Sequence, residues 1–301
     1  MKTVSIMPKS KRIILILAVL SSFIISGIII FYGYGYLKNY RVKVERKKFF
    51  SELKIITLEN CTLKRFGNVN DGGYLLCENL MQDVTSAYSY GIGGSDMWGC
   101  EVSKKYKLSV HQYDCFNTSA PICEEGHFIF HEECVGDKKI ISENKSFDSL
   151  KNQIIRNNDD NKKLVVKMDV EGAEWDAFGA ASDDVLNNID QLIVEFHLGH
   201  QVTIKTGSLK AHQTIIEFHD EDLEKFIKVT QKLKKIFYLV NVHYNNCTCC
   251  DRIPPFPAWA YEVLFVNKRI GKPSKYQPVF QKYRPLNAPN DPVYEDCQVL
   301  Q

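Results

Sequence analysis

Residues 13–32 hold no charged side chain, and beyond them short apolar runs alternate with amphipathic stretches almost to the C-terminus. A helix rises about 1.5 Å per residue, so a run of this length covers roughly 30 Å of bilayer hydrocarbon and predicts a transmembrane segment. The run is also longer than the apolar core of a cleavable signal peptide. Further along, the pattern predicts strands over 84–91, 109–115 and 128–135, then a helix over 147–156 carrying Leu150, Ile154 and Ile155 on one face. Residues 164–168 read as a buried central strand interrupted only by Lys167, and 189–196 as another. Asp220 stands where an N-cap would start a helix bearing Leu223, Phe226, Ile227 and Leu233. Strands over 237–243 and 260–266, joined by a loop with Pro254, Pro255 and Pro257, predict an antiparallel pair at the sheet edge. Alternation of strands and helices predicts an α/β fold with a Rossmann-like, mostly parallel sheet.

The chain then divides into a short cytoplasmic tail (1–12), a transmembrane signal anchor (13–32), a basic stem (33–50), extended or loosely helical, and a lumenal domain (51–301). A net charge of +2 gives no electrostatic footprint for nucleic acid. Basic residues flank the span on both sides, Lys2, Lys9, Lys11 and Arg12 before it and Lys38 to Lys48 after it, so flanking charge does not orient it. Orientation rests instead on ten cysteines and four N-x-Ser/Thr sequons, at Asn60, Asn117, Asn144 and Asn246, all beyond the span. Both point to an oxidising lumen, in the Golgi or endoplasmic reticulum. Disulfides are expected, with Cys297 among them, in preference to a metal knuckle at Cys247, Cys249 and Cys250, whose spacing is tight and lacks a matching second pair.

Gly91, Gly93 and Gly94 sit where the first strand of the sheet meets its first helix, and a ligand can approach a backbone there that lacks Cβ atoms. Asp114 follows at the end of the next strand, twenty residues after Gly94. That spacing places a carboxylate against the ribose hydroxyls of an adenosine. Asp96 stands near the place of the third glycine of a dinucleotide pattern. No pyrophosphate needs a cradle if the ligand is S-adenosylmethionine.

Lys167-Met168-Asp169-Val170-Glu171-Gly172-Ala173-Glu174 places acids at the carboxyl end of a central strand, where open α/β sheets bind ligands. This stretch resembles the strand-end pattern of FkbM-type methyltransferases, and more closely that of animal secretory methyltransferase-like proteins of the same broad class. The resemblance extends to Asp71-Gly72-Gly73-Tyr74 after Arg65-Phe66-Gly67, to Tyr88-Ser89-Tyr90-Gly91-Ile92, and to Glu195-Phe196-His197, over roughly residues 60 to 200. It implies a class I methyltransferase sheet with S-adenosylmethionine as donor. Ser89 stands where many such enzymes carry an acid, and the resemblance implies Asp96 and Glu101 as replacements for binding the methionine amino group.

Methyl transfer to a hydroxyl needs a base and an in-line acceptor. Asp169, Glu171 and His197 are the expected catalytic residues, with Glu195 beside them and Asp71 and Tyr74 folding over the site. Either a carboxylate or His197 takes the proton, or the acids hold a divalent cation; no metal ligand is assigned, and a histidine base near neutral pH favours the metal-free form. The compartment suggests a glycan hydroxyl as acceptor. Two other functions fit less well: a glycosyltransferase holding a metal–nucleotide with Asp169-x-Glu171, and a non-catalytic relative that keeps the fold for binding.

Overall fold

The computed structural model describes residues 9–206, 211–277 and 286–297, without the side chains of 9–30, 203–206 and 211–215. Helix α1 (Lys9–Glu52) runs from a first unit, Met1–Glu45, into a second, Arg46–Gln301. The stem at 33–50 is therefore helical rather than extended. Among the described residues no helix is long and apolar enough to cross a membrane, and the side chains of most of the predicted anchor, 13–30, lie outside them.

The second unit begins with a hairpin, β1 (Leu63–Gly67) and β2 (Gly73–Cys77). There follow β3 (Ser86–Tyr90), α2 (Met97–Tyr106), β4 (Ser109–Tyr113) and β5 (His127–His131). Three short strands come next, β6 (Cys134–Gly136), β7 (Ile140–Ser142) and β8 (Lys145–Ser149), then α3 (Leu150–Arg156) and β9 (Leu164–Met168). Helices α4 (Glu174–Ala180) and α5 (Asp183–Asn188) lead to β10 (Ile189–His197). A second hairpin, β11 (Gly199–Thr206) and β12 (Ala211–Phe218), precedes α6 (Leu223–Ile236), β13 (Phe237–Tyr244) and β14 (Ala260–Asn267).

Seven of these strands form one sheet in the order β13-β14-β10-β9-β3-β4-β5. All run parallel except β14, which pairs antiparallel with both β10 and β13 and makes the expected edge. β9 occupies the middle and is buried at every residue, which explains its apolar character on either side of Lys167. One face is covered by the β1–β2 hairpin and α2, with Phe66, Leu76, Trp98 and Val102 packing on Val165, Ile193 and Leu264. Gln191 fixes the hairpin to the sheet by exchanging two hydrogen bonds with the backbone of Cys77. On the opposite face Trp175 of α4 stacks between Phe196 and Phe226, at centroid distances of 4.1 and 4.2 Å. Four disulfides close loops around this frame: Cys61–Cys77, Cys100–Cys123, Cys115–Cys134 and Cys249–Cys297. Cys247 and Cys250 remain thiols.

Three sequence expectations shift, and one hairpin was not expected. The strand over 128–135 divides into β5 and β6, because the chain turns at Glu133 and Cys134 is drawn to Cys115. The helix over 147–156 starts only at Leu150, where Ser149 caps it, while Phe147 belongs to β8. Asp220 does not cap α6; both its oxygens take the guanidinium of Arg46, a fork-to-fork pair stronger than a cap. The hairpin β11–β12 carries too few apolar residues for periodicity to announce it.

The face of β3, β4 and β5 beneath α3 is built from stacked Tyr88, Tyr90, His111, Tyr113 and His131 rather than aliphatic residues. Burial lowers His111 to about 4, with His131, Lys162 and His127 adding to the effect and Asp159 opposing it. A histidine that titrates lower when folded contributes stability that is complete above its unfolded value, about 6.5, and is lost as pH falls toward 4. The melting temperature is therefore expected to fall across pH 6.5 to 4, and His111→Phe should flatten the slope. Equal slopes for both proteins would contradict this account.

Candidate active site

The carboxyl ends of β3, β4 and β9 open into a cavity of about 470 Å³ under the turn of the β1–β2 hairpin, within the range of small-molecule sites. One flank is apolar, with Ile92, Tyr113, Phe116, Val135 and Phe147. The other is polar, with Asp71, Tyr74, Lys167, Asp169 and Glu171. Asp114, Gly91 and Gly93 also line it.

Gly91 adopts φ +68°, and a Cβ there would lie 1.6 Å from the Asp169 carbonyl oxygen, so only glycine lets the two strand ends meet. Gly93, at φ +58°, has open space where its Cβ would stand, on the cavity side. Its N–H donates to Asp114 Oδ2 at 2.9 Å, while Phe116 and Asn117 N–H donate to Oδ1 at 2.8 and 2.9 Å. Three backbone donors thus fix the orientation of a carboxylate that faces the cavity, and the neighbouring Cys115–Cys134 disulfide ties that strand end to β6. Gly94 turns toward Asn117 and does not line the cavity.

Asp96 and Glu101 also do not line it. Asp96 caps α2 by accepting from Gly99 N–H and takes a second bond from Gln112, while Glu101 accepts from the Gly67 N–H. Both acids are used to dock α2 beneath the loop.

Lys167, the charge that interrupts β9, is 6% exposed. Its ammonium donates to the Tyr90 and Gly91 carbonyls at 3.3 and 3.0 Å, lies 3.7 Å from Asp169 Oδ2, and sits 5.3 Å over the Tyr74 ring. Tyr74 donates to the same Asp169 oxygen at 3.2 Å. Burial, reinforced by the charge of Asp169, holds the Tyr74 phenol well above its usual range, so it stays a donor. Asp71 is braced in turn by Asn290, whose amide reaches both Asp71 and Glu262. Asn290 belongs to the C-terminal segment that Cys249–Cys297 fastens down.

At the end of β10, His197 Nδ1 meets Glu174 Oε1 at 3.0 Å and Nε2 stands 3.5 Å from Glu171 Oε2. Glu174 is fully buried; it also accepts from the His197 and Gly172 backbone N–H groups, joining the β9 turn to the β10 end. Burial alone would lower the imidazole, but Glu174, then Glu195 and Asp169, outweigh it and raise His197 to about 10. The surrounding carboxylates thus favour the protonated ring, and of the two bases expected from the sequence, a carboxylate or His197, this arrangement favours the carboxylate. Beside it, burial and the charges of Asp169 and Glu262 push the Glu195 carboxyl well above the usual carboxylate range. Asp169, Glu171 and His197 offer ligand atoms within 4.8 Å of one another, a set that could share one cation.

The structure brings together Gly91, Gly93, Asp114, Asp169, Glu171 and His197 from the sequence-expected set, and leaves Gly94, Asp96 and Glu101 outside. Sequence reasoning missed Lys167 and the organising role of Glu174. The lone charge in an apolar strand was the available signal for the first, and the third acid within residues 169–174 for the second. A family model, described as the methyltransferase FkbM domain, matches residues 62–236. A search of curated proteins and of solved structures finds no match to the chain.

Proposed function

The chain belongs to the methyltransferase FkbM domain family, and we propose that it transfers a methyl group from S-adenosylmethionine to a hydroxyl of a secretory-pathway acceptor, such as a glycan. The observation that supports this reading is the cavity itself, which is lined by an anchored carboxylate at Asp114 and by a second one at Asp169. When bound, the donor supplies a methyl group on a cationic sulfur.

The residues divide that task. Phe116, Val135 and Phe147 offer an apolar slot for a flat base, and Asp114 accepts from a ribose hydroxyl with the Oδ2 lone pair its three backbone donors leave free. Asp169 takes the acceptor's proton, held by Tyr74 and Lys167 so that its oxygens do not swing away. Cationic His197 orients Glu171 at the mouth and offsets the charge of three neighbouring carboxylates. Four disulfides support a lumenal location for the domain. The apolar run at 13–32 supports an anchor, with exposed Tyr32, Tyr34 and Tyr36 as an interfacial belt.

The cation-compatible spacing of Asp169, Glu171 and His197 favours one second reading, a metal-dependent transferase of nucleotide sugars in which the ion takes the place of the proton on His197 Nε2. Calorimetric titration of the disulfide-intact protein with S-adenosylhomocysteine, with and without EDTA, and with UDP plus Mn²⁺ separates the two. Saturable S-adenosylhomocysteine binding that survives EDTA is expected. Binding of UDP with Mn²⁺ alone would overturn the methyltransferase assignment.

A further inference from the structure

The four sequons are not equivalent once the chain is folded. Asn246 is 5% exposed, its amide donates to the Asp291 and Tyr294 carbonyls at 2.8 and 2.9 Å, and its oxygen accepts from the Asp291 N–H. Asn60 is half-buried and pairs with the backbone on both sides, donating to Ile270 and accepting from Lys272. Asn117 donates to the Gly93 carbonyl at 2.7 Å and accepts from the Ser119 N–H, so its amide is part of the glycine loop at the cavity rim. At Asn246 both amide hydrogens are engaged, so a sugar would remove a hydrogen bond and would also need volume the interior lacks; at Asn60 and Asn117 a sugar on the amide nitrogen would crowd the carbonyl of Ile270 or Gly93 to which that nitrogen is fastened.

Asn144 differs. It is exposed, lies in the two-residue turn between β7 and β8, and takes the left-handed conformation at φ +61° that asparagine tolerates in such turns. Its amide makes no hydrogen bond among the described residues, and the strands on either side pair in register from Ser142↔Lys145 outward. The turn projects the amide away from a hairpin whose own pairing does not depend on it.

We propose that Asn144 is the residue of the folded protein that carries an N-linked glycan, and that Asn60, Asn117 and Asn246 remain unmodified. The inference rests on the lumenal location proposed above. In the reaction the Asn144 amide nitrogen forms a bond to C1 of an oligosaccharide carried on a lipid pyrophosphate. The C1–O bond to that pyrophosphate breaks, the lipid pyrophosphate leaves, and the amide proton passes to a base of the transferring enzyme. A chain modified at Asn246 could not close this structure and would be lost from the folded pool, and at Asn60 and Asn117 the packed amide leaves a sugar less room than the open turn at Asn144.

The test is expression of the full chain in a eukaryotic secretory cell with a C-terminal tag that bears its own sequon. Gel mobility is compared before and after peptide N-glycosidase. One native step plus one tag step is expected, with the native step lost in Asn144→Asp and in Ser146→Ala and kept in Asn60→Asp, Asn117→Asp and Asn246→Asp. A native step that survives both Asn144→Asp and Ser146→Ala overturns the proposal, as does a modified tag with no native step. If neither tag nor Asn144 is modified, the lumenal reading falls and the inference with it.

Discussion

Alanine at position 114 is expected to weaken S-adenosylhomocysteine binding by on the order of 10–100-fold, the loss of a charge-assisted hydrogen bond worth roughly 1.5–3 kcal/mol. The carboxylate faces the cavity already held by Gly93, Phe116 and Asn117 N–H groups, so the free protein has oriented it before a ribose arrives. The same three bonds make Asp114→Ala a risk to the loop, since three backbone donors lose their acceptor. Asp114→Asn is the companion variant: it keeps one acceptor oxygen and the shape, and removes the charge. Calorimetry on both, with melting temperatures alongside, separates the effects. Normal affinity in a folded Asp114→Ala protein would refute the donor assignment.

The sheet was legible where burial alone dictates residue type. β9 is predicted to the residue because every side chain in it is enclosed, and the spacing from the glycines places Asp114 just past the end of β4, where it lines the cavity. Features that depend on which way a helix turns were not legible. Asp96 and Glu101 follow the glycines closely in sequence, yet α2 points one into its own N-terminus and the other toward β1. His197 was found, but its charge was not, because that charge is set by Glu174, twenty-three residues earlier and brought alongside by the β9–β10 pairing. Lys167 shows the intermediate case: its oddity is visible in the sequence, while its reason lies in the carbonyls of Tyr90 and Gly91 on the neighbouring strand.

The largest kinetic effect is expected at Asp169. Asp169→Asn keeps the shape and the bond from Tyr74, and removes the one carboxylate that lines the cavity while being held by both Tyr74 and Lys167. General-base catalysis contributes roughly 10²–10⁴-fold, so kcat should fall within that span while S-adenosylhomocysteine binding changes little. Tyr74→Phe leaves the base and removes one neutral-to-charged hydrogen bond, for a smaller loss of about tenfold. Methyl transfer from labelled S-adenosylmethionine to a mixture of secretory glycans measures all of these against Glu171→Gln. If Asp169→Asn keeps its rate while Glu171→Gln loses it, the base is the exposed carboxylate beside cationic His197. The Tyr74 and Lys167 contacts would then serve the strand end rather than the chemistry, because a proton acceptor must lie where the hydroxyl is, not merely where an acid is best held.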